Sequence, residues 1–103
     1  MKLFSKIENP SKSFAYNKHE AIKRCMDALQ TDHNIIIQSV DPEEGVIHCI
    51  SDLDGTRIRY SFVETAPDVT EVTAVPYAAS GTPIRIDMFG MFLKRISKPF
   101  DKM

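Results

Sequence analysis

Apolar positions along the chain follow a helical period at two places and a period of two in between. Ile22, Cys25, Met26 and Leu29 fall at i, i+3, i+4 and i+7, the stripe of one helix face, with Lys18, Lys23, Arg24 and Asp27 on the remaining surface. Asn17 followed by Glu20 marks the start of this helix, because each side chain can satisfy a free backbone N–H of the other. Asp32-His33-Asn34 favour loops over helix, so the end falls near Thr31.

Beyond that loop the period changes. Ile35 to Val40 is a β-branched strand, Asp41-Pro42-Glu43-Glu44-Gly45 is turn chemistry, and Val46 to Ser51 is a second strand. Thr56 to Glu64 alternates Ile58, Tyr60 and Phe62 against Arg57, Arg59 and Ser61, and Ala66-Pro67-Asp68 turns the chain into a fourth strand from Val69 to Tyr77. Connections this short join antiparallel neighbours, which makes a meander. A fifth strand, from Lys2 to Ile7, carries a weaker version of the pattern.

Ser80-Gly81-Thr82-Pro83 breaks the sheet, and Thr82 or Asp87 supplies the cap of a closing helix whose stripe is Phe89, Phe92, Leu93 and Ile96. Met88 and Met91 widen that stripe, Lys94, Arg95 and Lys98 complement the dipole of the last turn, and Pro99 ends it. The element order (β)-α-β-β-β-β-α predicts an α+β fold: a two-layer sandwich in which two helices cover one face of a four- or five-stranded antiparallel meander. At 103 residues the chain is the size of one domain, residues 1–103.

Between the second and third strands stands Asp52-Leu53-Asp54-Gly55-Thr56. Preceded by an apolar strand, these five residues resemble the first motif of the haloacid-dehalogenase-like phosphohydrolases. The resemblance implies Asp52 as nucleophile and Asp54 as general acid/base. That family sets the motif in a parallel sheet of βα units and adds a Ser or Thr, a Lys and a magnesium-binding acidic pair further on. Here 47 residues follow Thr56, they begin with an antiparallel strand, and they contain no acidic pair. The segment therefore reads as a turn and not as a phosphatase motif. A three-residue hairpin loop with Gly55 in its bulge pairs Asp52 with Thr56. That register places Ile50 opposite Ile58, His48 opposite Tyr60 and Val46 opposite Phe62, all on the face expected to lie under the helices.

On this register His48 is an imidazole on a core face beside Tyr60. Any gap between sheet and helices would be a ligand pocket lined by His48, Tyr60, Met26, Phe89 and Phe92, apolar enough for binding rather than catalysis. Asp32 and His33 share one end of the sheet with Asp52 and Asp54, but their spacing matches no calcium or zinc pattern, so no metal is expected. Arg57 to Phe62 interleaves basic and aromatic residues without the glycines of an RNA-binding strand.

Charge changes the picture little. Thirteen Lys and Arg stand against fourteen Asp and Glu, a net charge of −1, which gives no general argument for nucleic acid or anionic membranes, and neither is expected as a partner. The distribution is uneven, with seven acidic and no basic residues in 27–56. The first residues lack the apolar run of a signal peptide, and no stretch approaches the roughly 20 apolar residues of a membrane span, so a cytoplasmic location is expected with Cys25 and Cys49 reduced. The function expected from these features is a small non-catalytic binding module without a cofactor. Its partner is another protein or a second copy of the chain, with a small apolar ligand or an enzymatic pocket near His48 and Tyr60 as the alternative.

Overall fold

Helix α1 spans Lys18–Gln30 and starts at the expected cap: the Glu20 N–H donates to Asn17 Oδ1 at 2.9 Å. The reciprocal half of the cap is absent, because the Glu20 carboxylate turns outward to accept from Arg24 Nε at 2.9 Å, one helical turn on. Ala21, Ile22, Cys25, Ala28 and Leu29 form the buried stripe, and Met26 packs at its margin. The computed structural model describes residues 4–6, 9–82, 84, 86–88 and 91–103, with backbone alone at 4–6, 86–88 and 91–93.

The four strands of the meander are β3 (Ile35–Asp41), β4 (Val46–Ser51), β5 (Arg57–Ala66) and β6 (Val69–Tyr77). A fifth strand, β2 (Ser11–Phe14), adds antiparallel to β6, giving the order β2-β6-β5-β4-β3. The fifth strand of the main sheet is therefore not the one expected at Lys2 to Ile7. β1 (Phe4–Lys6) pairs separately with β7 (Ile86–Met88), while the member of the main sheet is Ser11–Phe14, whose pattern is polar except for buried Phe14. A polar, Lys-containing strand of this kind suits a sheet edge and gives little periodicity to read.

The closing helix differs from expectation in its limits. Ile86–Met88 is a strand, so Asp87 caps no helix, and α2 covers only Met91–Ser97. Pro99 does not end the helical path; it sits in the first turn of a 3-10 helix, Lys98–Lys102, where its missing N–H has no partner to lose. Tyr60 Oη donates to the Ile96 carbonyl at 2.8 Å and Tyr16 Oη to that of Met103 at 3.0 Å, two bonds that tie this C-terminal segment to the rest.

Ile47 and Cys49 of β4, Ile58, Tyr60 and Phe62 of β5, and Val72 and Ala74 of β6 form one buried cluster with the α1 stripe, Ile96 and Phe100. These helices therefore share one face of the sheet, the two-layer α+β arrangement expected. No helix among the described residues is long and apolar enough to cross a membrane.

Candidate functional site

The position of His48 depends on one loop. Between β4 and β5 the Ser51 N–H donates to Thr56 O at 2.7 Å, and the Gly55 N–H closes back on Ser51 O at 2.9 Å. The loop thus holds four residues, Asp52 to Gly55, with Gly55 at φ +74°, where a side chain would be disfavoured. Asp54 Oδ1 accepts the Thr56 N–H at 2.9 Å, and this bond, helped by Arg95, holds the Asp54 carboxyl below its ordinary range. The preceding hairpin repeats the design ten residues earlier. There the Gly45 N–H donates to Asp41 O at 2.8 Å, with φ +80° at Gly45 and the Glu44 N–H on Asp41 Oδ1.

One extra loop residue shifts the register by one and exchanges the faces of β4. Ile47 pairs with Tyr60, His48 with Arg59 and Cys49 with Ile58. The expected pairing of His48 with Tyr60 is therefore corrected: His48 is exposed on the uncovered face, while Tyr60 is buried under the helices, its ring edge-on to Phe100. The two residues cannot line one cavity. Met26 packs against the core cluster that includes Tyr60, Phe89 lies outside the described residues, and so does the side chain of Phe92.

The buried side is chemically quiet. Burial first, then the neighbouring Cys25, Cys49 and Asp32, push the Tyr60 phenol up; burial likewise raises Cys25, with Cys49 adding to it, and raises the Cys49 thiol to about 12. All three groups stay neutral near pH 7, and both cysteines are free thiols.

The uncovered face carries the polar chemistry. Reading across the strands, Ile36, Ile50, Arg57 and Tyr77 make one row, and Ser39, His48, Arg59 and Val75 the next. Ile36 is 48% exposed, Ile50, Val75 and Tyr77 are half-buried, and Arg57 and His48 are exposed. Arg59 Nη2 reaches Glu44 Oε1 at 3.6 Å, leaving its buried Nε without a hydrogen-bond partner.

A groove opens at the end of the sheet where the α1–β3 and β4–β5 loops meet the C-terminal segment. The Asp52 N–H donates to Asn34 O at 2.7 Å, which joins the two loops, and Arg95 Nη1 meets Asp54 Oδ2 at 3.3 Å, which fastens the second loop to α2. The groove has a volume of about 460 Å³ and is lined by Asp32, Asn34, Leu53, Lys94, Arg95 and Lys98. A smaller cleft continues it past His33 to Lys102. The sequence brought Asp32 and Asp54 to this end of the sheet, but Lys94, Arg95 and Lys98 were expected only to complement a helix dipole; the signal for the groove was the run of cations after two acidic loops.

Among the described residues no three His, Cys, Asp or Glu side chains come together as metal ligands. No protein-family model matches the chain, and the comparisons with curated proteins and with solved structures give no similar protein.

Proposed function

We propose that the chain is a small non-catalytic interaction module that pairs with a second copy of itself through the uncovered sheet face. The observation that carries this reading is the composition of that face. Ile36, Ile50, Val75 and Tyr77 stand beside Arg57 and Arg59 on the side without a helix layer, and Tyr and Arg are the residue types that anchor protein interfaces. The face also carries both signs of charge, with Arg57 and Arg59 mid-sheet and Asp41, Glu43 and Glu44 at the β3–β4 turn. In a two-fold interface each patch meets its counterpart twice, so a surface holding both signs can complement itself.

Five strands at about 4.8 Å spacing make a face roughly 20 Å across, at the small end of specific interfaces, so association should depend on concentration. The reading places the module in the cytoplasm, in keeping with two buried free thiols.

Sedimentation equilibrium tests it. The expected mass rises with concentration toward twice the 11.7 kDa of the chain. Ile36→Asp with Arg57→Glu should return the monomer with an unchanged circular dichroism spectrum, since both side chains are exposed. A wild-type mass that stays at one chain across the whole concentration range overturns the proposal.

A further inference from the structure

We propose that the groove between the α1–β3 loop, the β4–β5 loop and the C-terminal segment binds a small molecule carrying a phosphate on an apolar body. This inference stands apart from the self-association proposed above, since it uses the end of the sheet and not its face.

Three separate segments build the groove: Asp32 and Asn34 from the first loop, Leu53 from the second, and Lys94, Arg95 and Lys98 from the last helical turns. Carboxylates are at hand, yet among the described residues they neutralise one of these three cations, Arg95. Among the described residues the ion pairs are Arg24–Glu20, Arg59–Glu44 and Arg95–Asp54, which leaves Lys94 and Lys98 without a carboxylate partner. Asp32 Oδ1 is already engaged as acceptor of the Asn34 N–H at 2.9 Å.

Structural duty accounts for two cations here, Arg95 through Asp54 and Lys102 through helix α1. Helix α1 has no basic residue in its own last turn, and Lys102 supplies one from the chain end, donating from Nζ to Thr31 Oγ1 at 2.6 Å while Thr31 Oγ1 donates to Ala28 O. Lys94 and Lys98 make no such bond among those described. Arg95 is held in place by Asp54 Oδ2 and lies 3.5 Å from Ser51 Oγ, so its guanidinium is fixed at the groove wall.

Two ammonium groups and a positioned guanidinium match a doubly charged anion. A bare ion would leave most of about 460 Å³ empty, a volume within the range of small-molecule sites. Leu53, 63% exposed and the one apolar side chain of the lining, offers contact to the rest of the ligand.

The test uses the full chain, labelled with nitrogen-15 and titrated at constant ionic strength with phenyl phosphate, inorganic phosphate and phenol. Phenyl phosphate should give saturable amide shifts confined to the two loops and the 94–98 segment, with tighter binding than either of the other probes. Lys94→Ala with Lys98→Ala should weaken it by roughly tenfold or more, the scale of a lost charge-assisted contact, in a spectrum otherwise unchanged because the groove lies at the surface. Leu53→Ser should bring phenyl phosphate down to the affinity of inorganic phosphate. Shifts that do not saturate, equal binding of the two phosphates by the wild type, or an affinity indifferent to the lysine pair would each overturn the proposal.

Discussion

The two faces of the central sheet are made from the same strands and treated in opposite ways. On one side Tyr60 sits under α1 and the C-terminal segment, fully buried, with its hydroxyl satisfied by a backbone carbonyl and its proton held by burial. On the other side, one strand away and one residue after Ile47, the partner of Tyr60, His48 stands exposed beside Arg59. Both are titratable aromatic side chains on neighbouring strands, and only the pleat separates them. The side on which a residue falls, more than its type, decides whether it is structure or surface.

Deletion of the side chains gives the largest contrast. Tyr60→Ala should cost about 3–5 kcal/mol, the range for removing a large buried aromatic, whereas His48→Ala should stay within about 0.5 kcal/mol, as exposed substitutions do. Urea unfolding of the two variants measures the difference directly, and similar losses would break the comparison.

The reason the sequence pattern puts His48 on the core face beside Tyr60 is local. The β5 alternation was legible: Ile58, Tyr60 and Phe62 do face the core, and Arg57 and Arg59 do face away. So were the Asn17 cap, the α1 stripe and the limits of β4 and β6. In β4, however, Val46, His48 and Ile50 look as suitable for a core as Ile47, Cys49 and Ser51, so the pattern of that strand fixes no face. The loop then decided, and Asp52-Leu53-Asp54-Gly55 serves a three- or a four-residue hairpin equally well by composition. The earlier hairpin held the clue, since Asp41 to Gly45 has the spacing of Ser51 to Gly55 and the same closing bond. The groove was half legible: the meander brings its two loops to one end, but the arrival of Lys94 and Lys98 there depends on how Ile96 and Phe100 dock into the core, which no local pattern encodes.

A milder change on the covered face sharpens the contrast. Tyr60→Phe keeps the ring but leaves the Ile96 carbonyl without its donor, a loss of about 1–3 kcal/mol for a buried acceptor. It should loosen the C-terminal segment first, visible as faster amide exchange at 96–103.

Alkaline pH acts on the same face. Because burial raises both thiols above their unfolded values, the stability they allow is fully present below the ordinary thiol pKa of about 8.5, and it is lost as pH rises from there through the folded value of about 12 at Cys49. Cys25→Ala with Cys49→Ala should flatten this alkaline loss, and in the wild type neither thiol should react with iodoacetamide until the chain unfolds.

The smallest effect belongs to the loop that sets the register. Thr56 and Arg95 hold the Asp54 carboxyl below its ordinary pKa of about 3.9, so its contribution is present above that value and fades as pH falls below it. Asp54→Asn should remove this acid-dependent part, read as a smaller shift of the urea midpoint between neutral and acid pH. The effect is modest because the Asp54 side chain is 43% exposed.

Cross-strand backbone contacts test the face assignment most directly. In a nuclear Overhauser spectrum the account predicts contacts linking Ile47 with Tyr60 and Cys49 with Ile58 across β4 and β5. Contacts linking His48 with Tyr60 and Ile50 with Ile58 instead would contradict it, and would return His48 to the face beneath the helices.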